Sequence, residues 1–264
     1  MTDLAAMDIE TIPHAARDIL GVRVHDMTRD RALAHVLGMI DSRLHCPVTF
    51  LNAHNANIAF TDPDFRATLS RFLVLSDGIG VDIAAWLLHG APFRANLNGS
   101  DFVPALLAAA DHPLKVGLFG ARPGVAEKAI EAFARIDARH QYRALAHGYV
   151  DADDERAMLD ELARWRADIL LVALGVPRQE MWIAANVRAH HCTVPMGVGA
   201  LFDLTTGTVP RAPRWVRAAR SEWVYRLAQE PGRMWRRYLL GNPVFLSRVV
   251  RQRLGATLPG ESTA

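Results

Sequence analysis

The sequence predicts an α/β fold: a Rossmann-like, mostly parallel sheet with helices on both faces, followed by a basic helical C-terminal appendage. Three observations predict it. Short unbroken apolar runs, such as Leu73-Val74-Leu75 and Ile169-Leu170-Leu171-Val172, mark strands buried on both faces. They alternate with helical patterns of roughly 10–15 residues, the rhythm of βαβ units. Charge is also segregated: residues 1–208 sum to −6 and residues 209–264 to +8, within a net +2. We therefore divide the chain into an α/β body, 1–208, and an Arg/aromatic-rich appendage, 209–264.

Composition sets the class. A chain of 264 residues, half of them hydrophobic, buries a sizeable core and is not disordered. Cys46 and Cys192 make neither a disulfide framework nor a metal-ligand spacing, which suits a reducing cytoplasm. The N-terminal MTDLAAMDIE lacks the basic and apolar regions of a signal peptide. No apolar run of roughly twenty residues is long enough for a transmembrane helix.

The elements follow in order. Residues 1–16 read as a loosely held leader. Ala32, Leu33, Val36, Leu37 and Ile40 repeat at helical spacing within Met27–Leu44, and Asp26 or Thr28 caps that helix. Pro47 to Leu51 is a short strand, followed by Asn52-Ala53-His54-Asn55-Ala56-Asn57. So many amides at a strand-to-helix junction serve as caps and turn formers, or as ligand contacts. A single cap needs one such residue, so Asn52, His54 and Asn55 are candidate contacts. The next helix runs to Arg71 with a break at Asp62-Pro63.

Leu73 to Ser76 is a buried strand that ends at Asp77, and Gly78 and Gly80 loosen the backbone before an apolar helix. An acid at the carboxyl end of a strand sits where open α/β sheets bind ligands, and a general base is useful there. It also sits where Asp caps a helix. Asn98-Gly99-Ser100-Asp101 opens the next helix, which ends near Asp111. Lys115 to Gly124 is a strand, a glycine turn and a helix start. Gly120 and Gly124 do not make a dinucleotide fingerprint, and no Walker A pattern occurs, but helix starts after such turns hold phosphates. Tyr142–Ala146 is a strand, Asp154–Arg166 a helix, and Asp168–Gly175 the clearest buried strand. Pro177 suits the first turn of the helix that follows. Thr193–Val198 is the next strand, leading into Gly199–Asp203.

The appendage interleaves Trp, Tyr and Leu with Arg. Pro210 to Trp215 is a proline-punctuated linker, Glu222 starts an amphipathic helix, and Pro231 breaks it. The pattern suits an anionic membrane surface or a diphosphate. It also suits a helical hairpin packed on the body with its arginines solvated.

Several of these stretches, in this order, resemble the WecG/TagA/CpsF glycosyltransferase family. They are Asn52, Ser76–Gly80, Asn98–Asp101, Gly175–Glu180, Gly197–Asp203, Arg211–Pro213, Glu222–Leu227 and Glu230–Arg233. The resemblance spans roughly residues 20–240. It implies inverting, metal-independent transfer, without a cofactor, from a UDP-sugar to a polyprenyl-diphosphate-linked saccharide. The setting it implies is bacterial cell-envelope glycan assembly, with a peripheral enzyme at the cytoplasmic face of the plasma membrane.

The resemblance makes Asp77 the general base and puts Gln179 in the same pocket. It has appendage arginines close over the site and hold the diphosphate; Arg211, Arg214, Arg220, Arg226 and Arg233 lie in that region. Asn98 and Gly120 complete the candidate binding set with Asn52, His54 and Asn55. His54 either orients a substrate or is structural, and Asp203 and Glu222 cap helices or pair with arginines. Two departures bear on the donor sugar. Phe50 stands where many members have threonine, and Asn96 where many have arginine.

Two other classes compete. A nucleotide-dependent oxidoreductase suits the sheet but lacks the fingerprint. A non-catalytic module that binds anionic surfaces suits the appendage alone. Self-association is compatible with the sequence, and no nucleic-acid partner is expected.

Overall fold

The computed structural model describes residues 15–213, 216 and 222–255. The body runs β1 (Ala16–Ile19), β2 (Val22–His25), α1 (Arg29–Asp41), β3 (Val48–Leu51), α2 (Ala53–Thr61) and α3 (Pro63–Leu69). It continues with β4 (Leu73–Ser76), α4 (Ile79–His89), α5 (Gly99–Ala109), β5 (Lys115–Gly120), α6 (Val125–Ala134) and β6 (Gln141–Ala146). Then come α7 (Ala152–Trp165), β7 (Ala167–Ala173), α8 (Arg178–Asn186), β8 (Cys192–Gly197) and α9 (Leu201–Thr205).

The eight strands form one sheet in the order β1-β2-β4-β3-β8-β7-β5-β6, parallel throughout except for the antiparallel β1/β2 pair. The α/β, mostly parallel architecture expected from the sequence is present. Alternate residues along each strand feed two cores. On one face Phe50, Leu75, Leu118, Ile169 and Leu171 meet α1, α5 and α6. On the other, Leu51, Val74, Phe119, Leu170 and Val172 meet α2, α4, α7 and α8. Burial of β7 on both sides explains its continuous apolar run.

The β1/β2 hairpin was not anticipated. Ala16, assigned to the leader, opens β1, and positive φ at Leu20 (54°) and Gly21 (81°) gives the tight two-residue connection that twisted strands favour. The rest of the expected leader, residues 1–14, lies outside the described residues.

The appendage contains α10 (Glu222–Gln229), α11 (Pro231–Trp235), a π-helical turn (Arg236–Leu240) and α12 (Gly241–Arg253). Pro231 separates α10 from α11, at the first-turn position where its missing N–H is harmless. The last helix packs into the body. Phe245 and Val249 are fully buried in the second core, beside α2 and α4. Arg248 donates to the Asn57 carbonyl and side-chain oxygen at 3.0 and 2.9 Å, and Gln252 accepts from the Leu20 N–H at 2.9 Å. No described helix is long and apolar enough to cross a membrane.

Candidate active site

Parallel registration builds the centre of the site. Leu51 of β3 pairs with Ser76 of β4, so the next residues, Asn52 and Asp77, emerge side by side at the carboxyl edge of the sheet. The helix after β3, α2, packs on one face of the sheet and α9, after the neighbouring β8, on the other, and such a switch point opens a crevice above the strand ends. A cavity of about 1050 Å³ occupies this position, with Asn52 and Asp77 on its floor and α10, α11 and the π turn above.

Asp77 does not cap α4. The capping position belongs to Gly78, whose φ of 89° lies where side-chain-bearing residues are strained, and no side chain caps the helix there. Asn96 Oδ1 accepts from the Gly78 N–H at 3.0 Å, and the Ser76 hydroxyl donates to the Ala95 carbonyl at 2.8 Å. Asn96 therefore buttresses the turn that presents Asp77.

The Asp77 carboxylate accepts from Asn52 Nδ2 at 3.2 Å. Burial drives its pKa above the usual carboxylate range, and Asp101 adds to this. The Asn52 hydrogen bond and the charges of Arg226 and Arg237 pull the other way without cancelling it.

Asn52 also caps α2, its Oδ1 accepting the His54 and Asn55 N–H groups at 3.1 and 3.2 Å. Asn55 is buried and donates to the Phe50 carbonyl at 2.9 Å; its Oδ1 has no hydrogen-bond partner among the described residues. His54 lines the crevice with a pKa lowered to about 4 by burial and by Arg237, so its imidazole is neutral at physiological pH.

Gln179 lies in the first turn of the helix after β7, and both ends of its amide are engaged. Its Oε1 accepts from the Gly199 N–H at 3.0 Å and its Nε2 donates to Glu180 Oε1 at 2.8 Å. Asn98 lines the crevice but spends its side chain as the α5 cap, accepting from the Asp101 N–H and donating to its carboxylate, both at 3.0 Å. Phe50 fills the space beside Gly99, where an added Cβ would lie 3.0 Å from its ring, and meets Phe102 edge-on at 5.9 Å.

Other candidates fall elsewhere. The crevice wall takes in Ala121 and Arg122 but not Gly120, which is pressed so close to the Ala173 carbonyl that a Cβ would sit 2.5 Å from it. Its glycine serves strand packing. Arg211 is ion-paired with Asp101 and is not part of the lining, whereas Arg226 is. Arg214 and Arg220 lie outside the described residues, as does the side chain of Arg233. Asp203 and Glu222 both line the crevice, and burial raises the pKa of Glu222 against the pull of Arg226.

Sequence reasoning missed Arg237, Arg122, Arg178 and Tyr149, all in the lining. Arg237 carried a usable signal, since it lies in the Arg236-Arg237 pair within an aromatic stretch. Tyr149 stands 71% exposed, in a stretch that carries none of the family motifs.

An open parallel sheet whose switch-point crevice sets half-buried Asp77 among Arg122, Arg178, Arg226 and Arg237 defines an α/β protein with a built ligand site at its strand ends. The comparisons agree, and the chain belongs to the glycosyl transferase WecG/TagA/CpsF family, whose profile matches residues 17–258. It is a glycosyltransferase. A relative from Bacillus spizizenii is 32% identical over 241 positions, covering 84% of this chain and 92% of its own length. One from Bacillus subtilis is 30% identical, covering 81% and 82%. One from Staphylococcus aureus is 27% identical, covering 94% and 97%. Each carries the name N-acetylglucosaminyldiphosphoundecaprenol N-acetyl-beta-D-mannosaminyltransferase.

Proposed function

We propose that the chain transfers a sugar, with inversion and without a metal, from a UDP-sugar to a polyprenyl-diphosphate-linked saccharide, using Asp77 as general base. The observation that carries this reading is the Asp77 carboxylate on the crevice floor, held by Asn52 and flanked by the charges of Arg226 and Arg237. A carboxylate with a raised pKa is a stronger base near neutral pH than an exposed one.

In the reaction, the acceptor hydroxyl oxygen bonds to the anomeric carbon as its proton passes to Asp77. The bond from that carbon to the UDP oxygen breaks, and UDP leaves with the electron pair. Arg226, Arg237 and the N-terminal turn of α5 at Gly99 and Ser100 offset the charge that develops on the diphosphate. One base suffices for a single displacement, and neutral His54 serves as a hydrogen-bond partner. The body supplies the base and nucleotide pocket, and the appendage supplies positive charge.

The acceptor class follows the relatives' names, and Phe50 and Asn96 distinguish the donor pocket. The appendage also presents Trp235, Leu239, Leu240 and Val244 to solvent among arginines, a surface suited to the anionic inner face of a plasma membrane. The test is a panel of UDP-sugars offered with a polyprenyl-diphosphate-linked saccharide in the presence of EDTA. One donor should be consumed, with the new linkage inverted. Consumption of none would refute the reading, and loss of transfer only with EDTA would refute metal independence.

A further inference from the structure

We propose that Glu180 is a positioning residue that locks the Gln179 carboxamide in one orientation across the β3/β8 boundary. The proposal rests on the reading that this crevice, whose lining includes Gln179, is the site of sugar transfer. Glu180 is completely buried and is not part of the crevice lining, so it acts only through its neighbours. Its Oε1 accepts two hydrogen bonds at 2.8 Å, one from the Thr49 hydroxyl on β3 and one from Gln179 Nε2. Gln179 Oε1 in turn accepts from the Gly199 N–H, in the turn after β8.

The result is a directed chain, Thr49 to Glu180, Gln179 to Glu180, and Gly199 to Gln179, that ties the two strands of the switch point beneath the crevice. A primary amide otherwise flips readily, since its two ends are nearly the same shape. Here a flip would turn the Gln179 oxygen toward Glu180 Oε1 and its NH2 toward the Gly199 N–H. Two attractive contacts would become two repulsive ones. The fixed orientation holds the Gln179 oxygen on the Gly199 N–H and its nitrogen on Glu180.

Two further observations support a functional reason for the acid. There is no spare room, because a Cβ on Gly197 would lie 2.8 Å from Gln179 Nε2 and 3.1 Å from Glu180 Oε1. The other carboxyl oxygen, Oε2, is buried with no hydrogen-bond partner among the described residues. Burying a half-satisfied acid is unfavourable, and burial lifts its pKa to about 7. Proteins retain such features at working sites.

The experiment is a double-mutant cycle in the transfer assay, combined with NMR of the Gln179 side-chain amide in the full chain. Glu180→Leu should lower kcat roughly ten- to a hundredfold, as a displaced polar group in a site does, with a smaller change in KM. Glu180→Gln, which retains an acceptor oxygen, should restore most of the rate. In a Gln179→Ala background Glu180→Leu should add nothing further. Additive losses, or a Glu180→Leu enzyme at the wild-type rate, would overturn the proposal.

Should Glu180→Leu not fold, Thr49→Val takes its place in the same cycle and should give a loss that disappears with Gln179→Ala. The NMR arm does not depend on turnover. One Gln179 amide proton should exchange slowly in the wild type and rapidly in Glu180→Leu or Thr49→Val, and an unchanged rate contradicts the lock. A wild-type chain that consumes no UDP-sugar but shows the protected proton would refute the proposed function and leave the lock intact.

Discussion

Asn52 donates from Nδ2 to Asp77 Oδ2 at 3.2 Å while its own Oδ1 caps α2. One side chain thus fixes a helix start and a carboxylate, and α2 cannot shift without moving the partner of Asp77. Asparagine suits both tasks, because serine is too short to span them and aspartate caps but cannot donate.

Asn52→Asp separates the two tasks. The cap is kept, so the melting temperature should stay close to wild type. The donor is replaced by a like charge that pushes the Asp77 pKa higher still, and kcat at pH 7 should fall about a hundredfold. Asn52→Ala should lose the rate and also about 1 kcal/mol of stability, read by urea denaturation.

Glu180 gives a stability signature with a defined sign. Its pKa rises from an ordinary 4.5 to about 7 on folding, so the folded state holds the proton more tightly. Its stabilising contribution is complete below 4.5 and is lost as pH rises through 7, a swing of about 3 kcal/mol. Glu180→Gln cannot ionise. Its stability relative to wild type should therefore increase between pH 4.5 and 8, as measured by denaturant titrations across that range.

Phe245 tests whether the last helix belongs to the core. It is fully buried between α12 and the body. Phe245→Ala should destabilise the whole chain by about 3–5 kcal/mol in a single unfolding transition. A loss under about 1 kcal/mol would mean that the helix only rests on the surface.

Leu239 and Leu240, 54% and 55% exposed, project from the appendage beside Arg236. Leu239→Glu with Leu240→Glu should sharply reduce co-sedimentation with vesicles containing anionic lipid and leave the melting temperature nearly unchanged. Raising the salt concentration should weaken wild-type binding, because the arginines contribute to it.

Much of this was legible in the sequence, since burial on both faces writes itself as unbroken apolar runs, and β3, β4, β5, β7 and β8 were found where their runs lay. The β1/β2 hairpin escaped because its four-residue strands, ARDI and VRVH, are short and mix charge with apolar residues. The motifs singled out Asp77 as the candidate base. They did not reveal that Leu51 and Ser76 are in register, which brings Asn52 against Asp77. Gly120 was misplaced because a phosphate turn and a close strand crossing demand the same residue. Glu180 was passed over because its role depends on Thr49, 131 residues earlier in the chain.

The central claim is that Asp77 takes the acceptor proton, and Asp77→Asn tests it most directly. The side chain keeps its size and its place on the crevice floor but loses its basicity. Transfer from the UDP-sugar should fall by about two orders of magnitude or more, with folding, UDP binding and vesicle association retained. Transfer at the wild-type rate would remove Asp77 from the base role and contradict the account.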